Sequence, residues 1–164
     1  MASPTSNLQP PTSIAILNIP VHDVTMSETL DWINRFIVER SSHQICTINP
    51  EFIMAAQKDS EFKRILNHSA LNIPDGVGIL WAARRLGHRL RERVGGSDLV
   101  LQIAQRAAIA GWKIFMLGAA EGVAEQAAGQ LRSNFPAINI VGAFAGSPSI
   151  DREAELADRI RSTS

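Results

Sequence analysis

The sequence predicts an α/β fold, a Rossmann-like and mostly parallel sheet with helices on both faces. Two observations predict it: short apolar runs alternate with helical patterns along the chain, and helix-start signals follow the apolar runs directly. The chain has 164 residues, which is enough to bury the core of one domain. We therefore expect a flexible tail over residues 1–12 and a single α/β domain over residues 13–164.

Local signals place the individual elements. Thr25 and Glu28 have capping-box spacing, and Asn49 followed by Pro50 is a typical helix start. The expected strands lie at about residues 13–19, 43–48, 70–73, 113–117 and 138–142. The expected helices lie at about residues 26–40, 50–68 (one helix or a broken pair), 76–86, 97–111, 123–134 and 151–161.

Composition excludes several classes of function. Hydrophobic residues make up 45% of the chain, charged residues 20%, and the formal net charge is zero, so no nucleic-acid partner is implied. Cys46 is the only cysteine and lies in an apolar run, where we expect a buried structural thiol. No run approaches the length of a membrane span, and the histidines lack metal-ligand spacing, so we expect no metal and no cofactor.

Polar side chains follow two predicted strands at the points where helices begin. Thr47 and Asn49 flank the end of one strand, and Asp75 follows Pro74 at the end of another. Open α/β sheets bind ligands at the carboxyl ends of their strands, so one cleft is expected to share these groups. Asp75 is suited to act as a general base. Structural roles stay open for all three: a strand residue for Thr47, and helix caps for Asn49 and Asp75.

Arginines and glycines offer contacts for an anion. A basic run ends at Arg93, directly before the turn Gly95-Gly96-Ser97-Asp98 that starts a helix. Arg93 is well placed to meet a phosphate, and backbone N–H groups of the turn could join it. A solvated helix face explains the earlier arginines equally well, and the glycines also suit a plain turn. Gly118 to Gly122 form a further strand–loop–helix junction, without a dinucleotide or P-loop fingerprint.

Several motifs in register resemble the WecG/TagA/CpsF glycosyltransferase family, also called glycosyltransferase family 26. The resemblance runs from about residue 14 to residue 146. The motifs that carry it are Leu17–Val21, Thr47–Glu51, Ile73–Gly78, Glu92–Asp98, Ile114–Gly118, Gly122–Ala124 and Ile140–Gly142. Gly95 departs from the family pattern, which commonly has threonine there.

The resemblance implies an inverting enzyme that moves a sugar from a UDP-sugar to a polyprenyl-diphosphate-linked acceptor in bacterial surface polysaccharide synthesis. The sugar would be N-acetylmannosamine, its uronic acid or a hexose. The family's catalytic pair maps onto Thr47 and Asp75, with Asp75 as the base. The implied substrate-binding positions are Asn49, Gly76, Arg93, Gly96, Ser97, Asp98 and Gly118. The family is thought to work without a bound metal.

The resemblance also implies a cytoplasmic protein at the inner face of the bacterial membrane, with homo-oligomer formation left open. Family members continue past Ser164 with a strand, a Gly-rich loop and an Arg-rich tail, so we expect a C-terminally truncated chain of low or no activity. The alternatives are a catalytically inactive nucleotide-binding remnant and a partial α/β domain that needs a partner chain to complete its sheet.

Overall fold

The computed structural model describes residues 10–146 and 152–163. Its elements, in chain order, are β1 Ser13–Ile16, β2 Ile19–His22, α1 Met26–Glu39, β3 Ile45–Ile48, α2 Pro50–Ala56, α3 Ser60–His68, β4 Leu71–Pro74, α4 Val77–Arg85, α5 Gly96–Ala110, β5 Lys113–Leu117, α6 Val123–Asn134, β6 Asn139–Phe144 and α7 Glu153–Arg161. The α/β class predicted from the sequence is confirmed. The chain divides into two compact units, Met1–Leu99 and Val100–Ser164. That residues 13–164 form a single domain stays a prediction, and residues 1–9 of the predicted tail lie outside the described residues.

In the first unit, β3 and β4 form a parallel pair whose shared edge positions the candidate site residues. Ile45 lies opposite Leu71 and Ile48 lies opposite Pro74, so both strands end at the same edge. All four residues of β4 are buried, as expected of a strand covered on both faces. Ile48, Leu66 and Ile79 are among the residues of the apolar core around the pair. Cys46 lies in this core, which confirms its prediction as a buried thiol.

The first strand was predicted wrongly. Instead of one strand over residues 13–19, β1 and β2 form an antiparallel hairpin in which Ile16 lies opposite Ile19. Leu17 and Asn18 make the turn, and both have positive φ values of 49° and 65°. Such a turn matches the twist of paired strands, and asparagine tolerates this conformation.

Helix starts follow the predicted capping chemistry. The Thr25 hydroxyl accepts a hydrogen bond from Glu28 N at 3.3 Å, and the Glu28 carboxylate accepts one from Thr25 N at 2.9 Å. Asn49 Oδ1 caps α2 by accepting from Phe52 N at 2.8 Å. The broken-pair alternative for residues 50–68 is confirmed, because Asp59 caps α3 separately.

Gly78 is required by close packing of α4 against Pro50. A Cβ built on Gly78 would lie 2.7 Å from Pro50 Cγ, a separation that forces some atom to move. Packing against Pro50 therefore explains why position 78 is glycine. Gly76 has a φ of 92°, which is a separate backbone reason for glycine.

We expect Gly78→Ala to lower the free energy of unfolding by about 1–3 kcal/mol, because the added methyl overpacks a filled contact. Gly129→Ala is the matched control, since a Cβ at that helical position meets nothing within 4 Å. The control should raise the free energy of unfolding by about 0.5–1 kcal/mol. Urea unfolding followed by circular dichroism measures both. A Gly78→Ala protein as stable as the parent would contradict the packing argument.

His22 is held neutral within the first unit. Burial lowers the pKa of His22 from 6.5, and the hydrogen bond that a protonated Nδ1 can donate to the Asn72 carbonyl, 3.3 Å away, opposes that shift. Asn72 N donates to His22 Nδ1 at 2.8 Å, and that acceptor is lost when the ring is protonated. The Asn72 side chain is buried and donates to the carbonyls of Pro20 and Leu66.

Since the pKa of His22 is lower in the folded than in the unfolded chain, the unfolded chain binds more protons below pH 6.5. We expect the resulting stability to be complete above that pH and to be lost progressively as the pH falls. His22→Gln should flatten this dependence. Urea unfolding of both proteins from about pH 8 to about pH 5 isolates the His22 contribution as their difference. Parallel curves would contradict the assignment.

The second unit is built on the parallel pair β5 and β6. Ile114 and Ile140 lie opposite each other, and the register shifts directly afterwards so that Phe115 faces Gly142. The Phe115 ring occupies the space that a Cβ on Gly142 would need. Ala104 and Ala128 are among the residues of a separate apolar core in this unit. Across residues 10–146 and 152–163, every helix is too short or too polar to cross a bilayer.

Candidate active site

Thr47 and Asp75 lie at the shared carboxyl edge of β3 and β4. Thr47 is in β3, and Asp75 directly follows the last residue of β4. Asp75 N donates to the Ile48 carbonyl at 2.8 Å, which extends the parallel ladder by one bond. The parallel register therefore brings the two residues to the same edge, as the sequence analysis expected.

Both side chains meet at Gly96. Gly96 N donates to Asp75 Oδ2 at 3.1 Å. A Cβ built on Gly96 would lie 3.3 Å from Thr47 Cγ2, 3.6 Å from Thr47 Oγ1 and 3.4 Å from Asp75 Oδ2. Only glycine leaves this space open without displacing one of the two side chains. A hydroxyl, a carboxylate and a backbone N–H thus converge within one small volume.

The segment that presents Gly96 is fixed at both ends. Val94 is fully buried, and its N–H donates to the Pro74 carbonyl at 2.8 Å. Glu92 accepts a hydrogen bond from Met26 N, the first residue of α1, at 3.1 Å. These contacts place the segment against the end of β4 on one side and the start of α1 on the other. Glu92 was not among the predicted site residues, although it begins one of the quoted motifs.

Arg91 ties the same segment to α1. Its guanidinium donates to both carboxylate oxygens of Glu28 at 2.9 and 2.7 Å, and its Nε donates to Asp23 at 3.0 Å. The hydrogen bond from Arg91 is the largest cause that lowers the pKa of Glu28 below its ordinary value. Separations of 63 and 68 residues along the chain leave no local sequence signal for these contacts.

Arg93 already has an anionic partner. Its guanidinium lies 3.3 Å from Asp98 Oδ2, and both side chains are exposed. The pair brackets Gly95, where an added Cβ would lie 3.0 Å from Asp98 Oδ2. An exposed pair of this kind is weak, so an incoming anion with more charge can replace Asp98. Arg93 is therefore available to a ligand at small cost.

The remaining predicted residues of the first unit divide by role. Asn49 serves as the helix cap that the structural alternative described. The cap alternative for Asp75 is wrong, because Gly76 occupies the N-cap position of α4 and makes no side-chain hydrogen bond. Asp75 instead directs its carboxylate to Gly96, because the backbone turns at Gly76 before α4 begins. Ser97 is exposed in the first turn of α5.

Gly118 belongs to the second unit and is described within it. It follows β5 with a φ of 113°, and its N–H donates to the Phe144 carbonyl at 2.9 Å. Ala119 also has a positive φ of 68°, which is uncommon for a residue with a side chain. Gly118 lines an apolar groove of about 380 Å³ between α5, β5 and α6, with Ile103, Met116 and Val123 among its walls.

Chemically, the first-unit site offers the carboxylate of Asp75, the hydroxyl of Thr47 and the exposed guanidinium of Arg93. Asp75 Oδ2 is held by Gly96 N, and within the described ranges Oδ1 makes no hydrogen bond, which leaves it free to accept a proton. In the parts of the chain that the structure describes, His, Cys, Asp and Glu side chains form no group of three or more that would hold a metal ion.

A carboxylate, a hydroxyl and a backbone N–H that meet at the carboxyl edge of a parallel pair lie where enzymes of the α/β class bind their ligands. The profile of the glycosyl transferase WecG/TagA/CpsF family matches residues 14–164. The chain belongs to this family, which confirms the resemblance inferred from the motifs.

Three curated relatives carry the same name, N-acetylglucosaminyldiphosphoundecaprenol N-acetyl-beta-D-mannosaminyltransferase. The protein of Bacillus subtilis (strain 168) is 30% identical over 128 residues, covering 77% of this chain and 50% of that protein. The protein of Bacillus spizizenii is 28% identical, covering 71% and 44%. The protein of Staphylococcus aureus (strain NCTC 8325 / PS 47) is 28% identical, covering 77% and 50%. The chain spans about half the length of these relatives.

Proposed function

We propose that the protein transfers a sugar from a UDP-sugar to a polyprenyl-diphosphate-linked acceptor, with inversion at the anomeric carbon. The observation that carries the proposal is the convergence of Thr47 and Asp75 on Gly96. Family membership supplies the class of reaction, and this convergence supplies a base and a hydroxyl for it. Both groups lie where α/β enzymes bind their ligands.

Asp75 is the general base of the proposed step. The free carboxylate oxygen of Asp75 takes the proton of the acceptor hydroxyl. At the same time the oxygen of that hydroxyl forms a bond to the anomeric carbon. The bond between the anomeric carbon and the diphosphate oxygen breaks, and its electron pair leaves with UDP. The Gly96 N–H holds the other carboxylate oxygen, while the Thr47 hydroxyl holds the reacting sugar hydroxyl by a hydrogen bond.

Arg93 receives the leaving diphosphate. Its guanidinium exchanges the exposed Asp98 carboxylate for phosphate oxygens, which can accept two parallel hydrogen bonds. The first turn of α5, at Ser97 and Asp98, adds backbone N–H groups that have no partner inside the helix. Positive charge and N–H donors thus stabilise the charge that develops on the leaving group.

The relatives' names favour N-acetylmannosamine as the sugar and an N-acetylglucosaminyl diphosphate lipid as the acceptor. The uronic acid of N-acetylmannosamine and a hexose are the other sugars to test. We assign Asn49 and Gly76 to the sugar side of the substrate, and Gly118 stays a predicted substrate-binding position within the second unit. A lipid-linked acceptor requires the protein to work at the inner face of the bacterial membrane, as a peripheral protein. Whether the protein forms homo-oligomers is tested separately, by measuring its molar mass in solution with light scattering.

A nucleotide-binding protein without catalysis is the second candidate. It is favoured by the partners that Asn49 and Arg93 already have, since both side chains are engaged without substrate. Titration calorimetry with UDP and UDP-N-acetylmannosamine, together with mass spectrometry of a lipid-linked acceptor, separates the two. Nucleotide binding with acceptor glycosylation supports the transferase. Binding without a glycosylated product supports the second candidate, and absence of binding rejects both.

A further inference from the structure

The outer face of α4 carries large apolar side chains that no other part of the described chain covers. Val77 is 77% exposed, Trp81 is 65% exposed, and Leu86 just beyond the helix is 54% exposed. Val77 and Trp81 are four residues apart, so they lie on the same face of the helix. A surface tryptophan of this exposure is a large apolar area left in contact with water.

The inner face of α4 anchors the helix firmly. Ile79 and Ala83 are almost completely buried in the core of the first unit. Pro50 packs against Gly78 in the first turn. The exposed residues therefore belong to a helix with a fixed orientation, and their exposure is a stable property of this surface.

Exposed arginines lie close to these apolar side chains along the chain. The stretch between Asp75 and Glu92 contains no acidic residue, although the whole chain has a net charge of zero. Arg91 is engaged by Asp23 and Glu28. Three further arginines of the stretch are exposed and form no ion pair with any described residue: Arg84, Arg85 and Arg89. Arg85 lies over the Trp81 ring at 5.9 Å from its centre.

We propose that this surface docks onto an anionic phospholipid bilayer. The α4 surface is defined here as Val77, Trp81, Arg84, Arg85, Leu86 and Arg89. Tryptophan favours the level of the lipid headgroups, where its ring meets acyl chains and its N–H meets water. Arginines beside it attract the phosphates of anionic lipids. Charge complementarity selects anionic lipids over neutral ones.

This proposal rests on the proposed function, because docking at the α4 surface would bring the lipid-linked acceptor to the site. The helix of nine residues is only about 14 Å long and begins two residues after Asp75. A bilayer in contact with α4 therefore lies near the carboxylate that takes the acceptor proton. A lipid-linked sugar would reach the site without leaving the membrane surface.

Vesicle co-sedimentation of the 164-residue chain tests the proposal. Vesicles of phosphatidylcholine alone are compared with vesicles that also contain phosphatidylglycerol, at low and high salt. We expect binding only to the anionic vesicles, a blue shift of tryptophan emission on binding, and weaker binding at high salt. Combined Arg84→Gln, Arg85→Gln and Arg89→Gln should weaken binding at least about tenfold. Trp81→Ser should weaken binding and remove the emission shift.

The matched control is the combined variant Arg40→Gln, Lys58→Gln and Lys63→Gln, which removes the same charge elsewhere in the first unit. It should bind anionic vesicles like the parent. Equal losses in both triple variants overturn the proposal, as does binding that the α4 variants leave unchanged. Self-association that Trp81→Ser abolishes, without vesicle binding, also overturns it and assigns the surface to a second copy. If the protein binds vesicles but calorimetry detects no binding of UDP, the result supports docking and rejects the transferase.

Discussion

Asp75→Asn is expected to lower kcat by about 100-fold to 10,000-fold, the usual contribution of a general base. Asparagine keeps an oxygen that can accept the hydrogen bond from Gly96 N, so the local geometry should survive. It has no basic oxygen to take the acceptor proton. Affinity for the UDP-sugar should therefore remain within about threefold of the parent, since the removed group acts on the acceptor in the transition state.

Two measurements test this expectation. The rate of transfer to a lipid-linked acceptor gives kcat, and calorimetry gives the affinity for the UDP-sugar. Asp59→Asn is the matched control, because Asp59 caps α3 and asparagine caps helices equally well. The control should leave both kcat and affinity unchanged. Unchanged turnover in Asp75→Asn would remove Asp75 from the role of base, whatever its effect on binding.

Gly96→Val is expected to lower kcat/KM by about 100-fold, the cost of displacing reacting groups by about 1 Å. The first added carbon already lies 3.3 Å from Thr47 and 3.4 Å from Asp75 Oδ2, and valine adds two methyl groups beyond it. Gly96→Ala should have a smaller effect of the same kind, because its neighbours need to move only by a few tenths of an ångström. The loss should therefore grow with side-chain volume.

Gly129→Val controls for the general effect of valine in place of a helical glycine, since nothing lies within 4 Å of an added Cβ there. Circular dichroism melts separate loss of activity from loss of fold. The account expects Gly96→Val to lose activity at temperatures where it remains folded. Full activity in Gly96→Val would show that the space around Gly96 is not used by the substrate or the reacting groups.

Local chemistry made much of the fold predictable. The Thr25 and Glu28 capping box and the Asn49 cap each depend on residues only three positions apart, and both appear as expected. Alternation of strands and helices predicted parallel pairing, and parallel pairing brought Thr47 and Asp75 to one edge. For these features, spacing along the chain carries the physical information.

Other features depend on contacts that spacing does not encode. The hairpin at Leu17 and Asn18 lacks the glycine that usually marks such a turn, and Pro20 lies within the second strand although proline is uncommon inside strands. The hydrogen bonds from Arg91 to Glu28 join residues far apart in sequence. Gly78 packs against Pro50, a residue of another helix that spacing along the chain does not point to.

A double-mutant cycle of Thr47→Val and Asp75→Asn tests most directly whether these two residues act together on one substrate. Measured as kcat/KM, the double variant should be about as slow as Asp75→Asn alone, because the hydroxyl aids only the step that the carboxylate completes. If the two losses instead multiply in full, Thr47 and Asp75 act independently and the shared site proposed at Gly96 is contradicted.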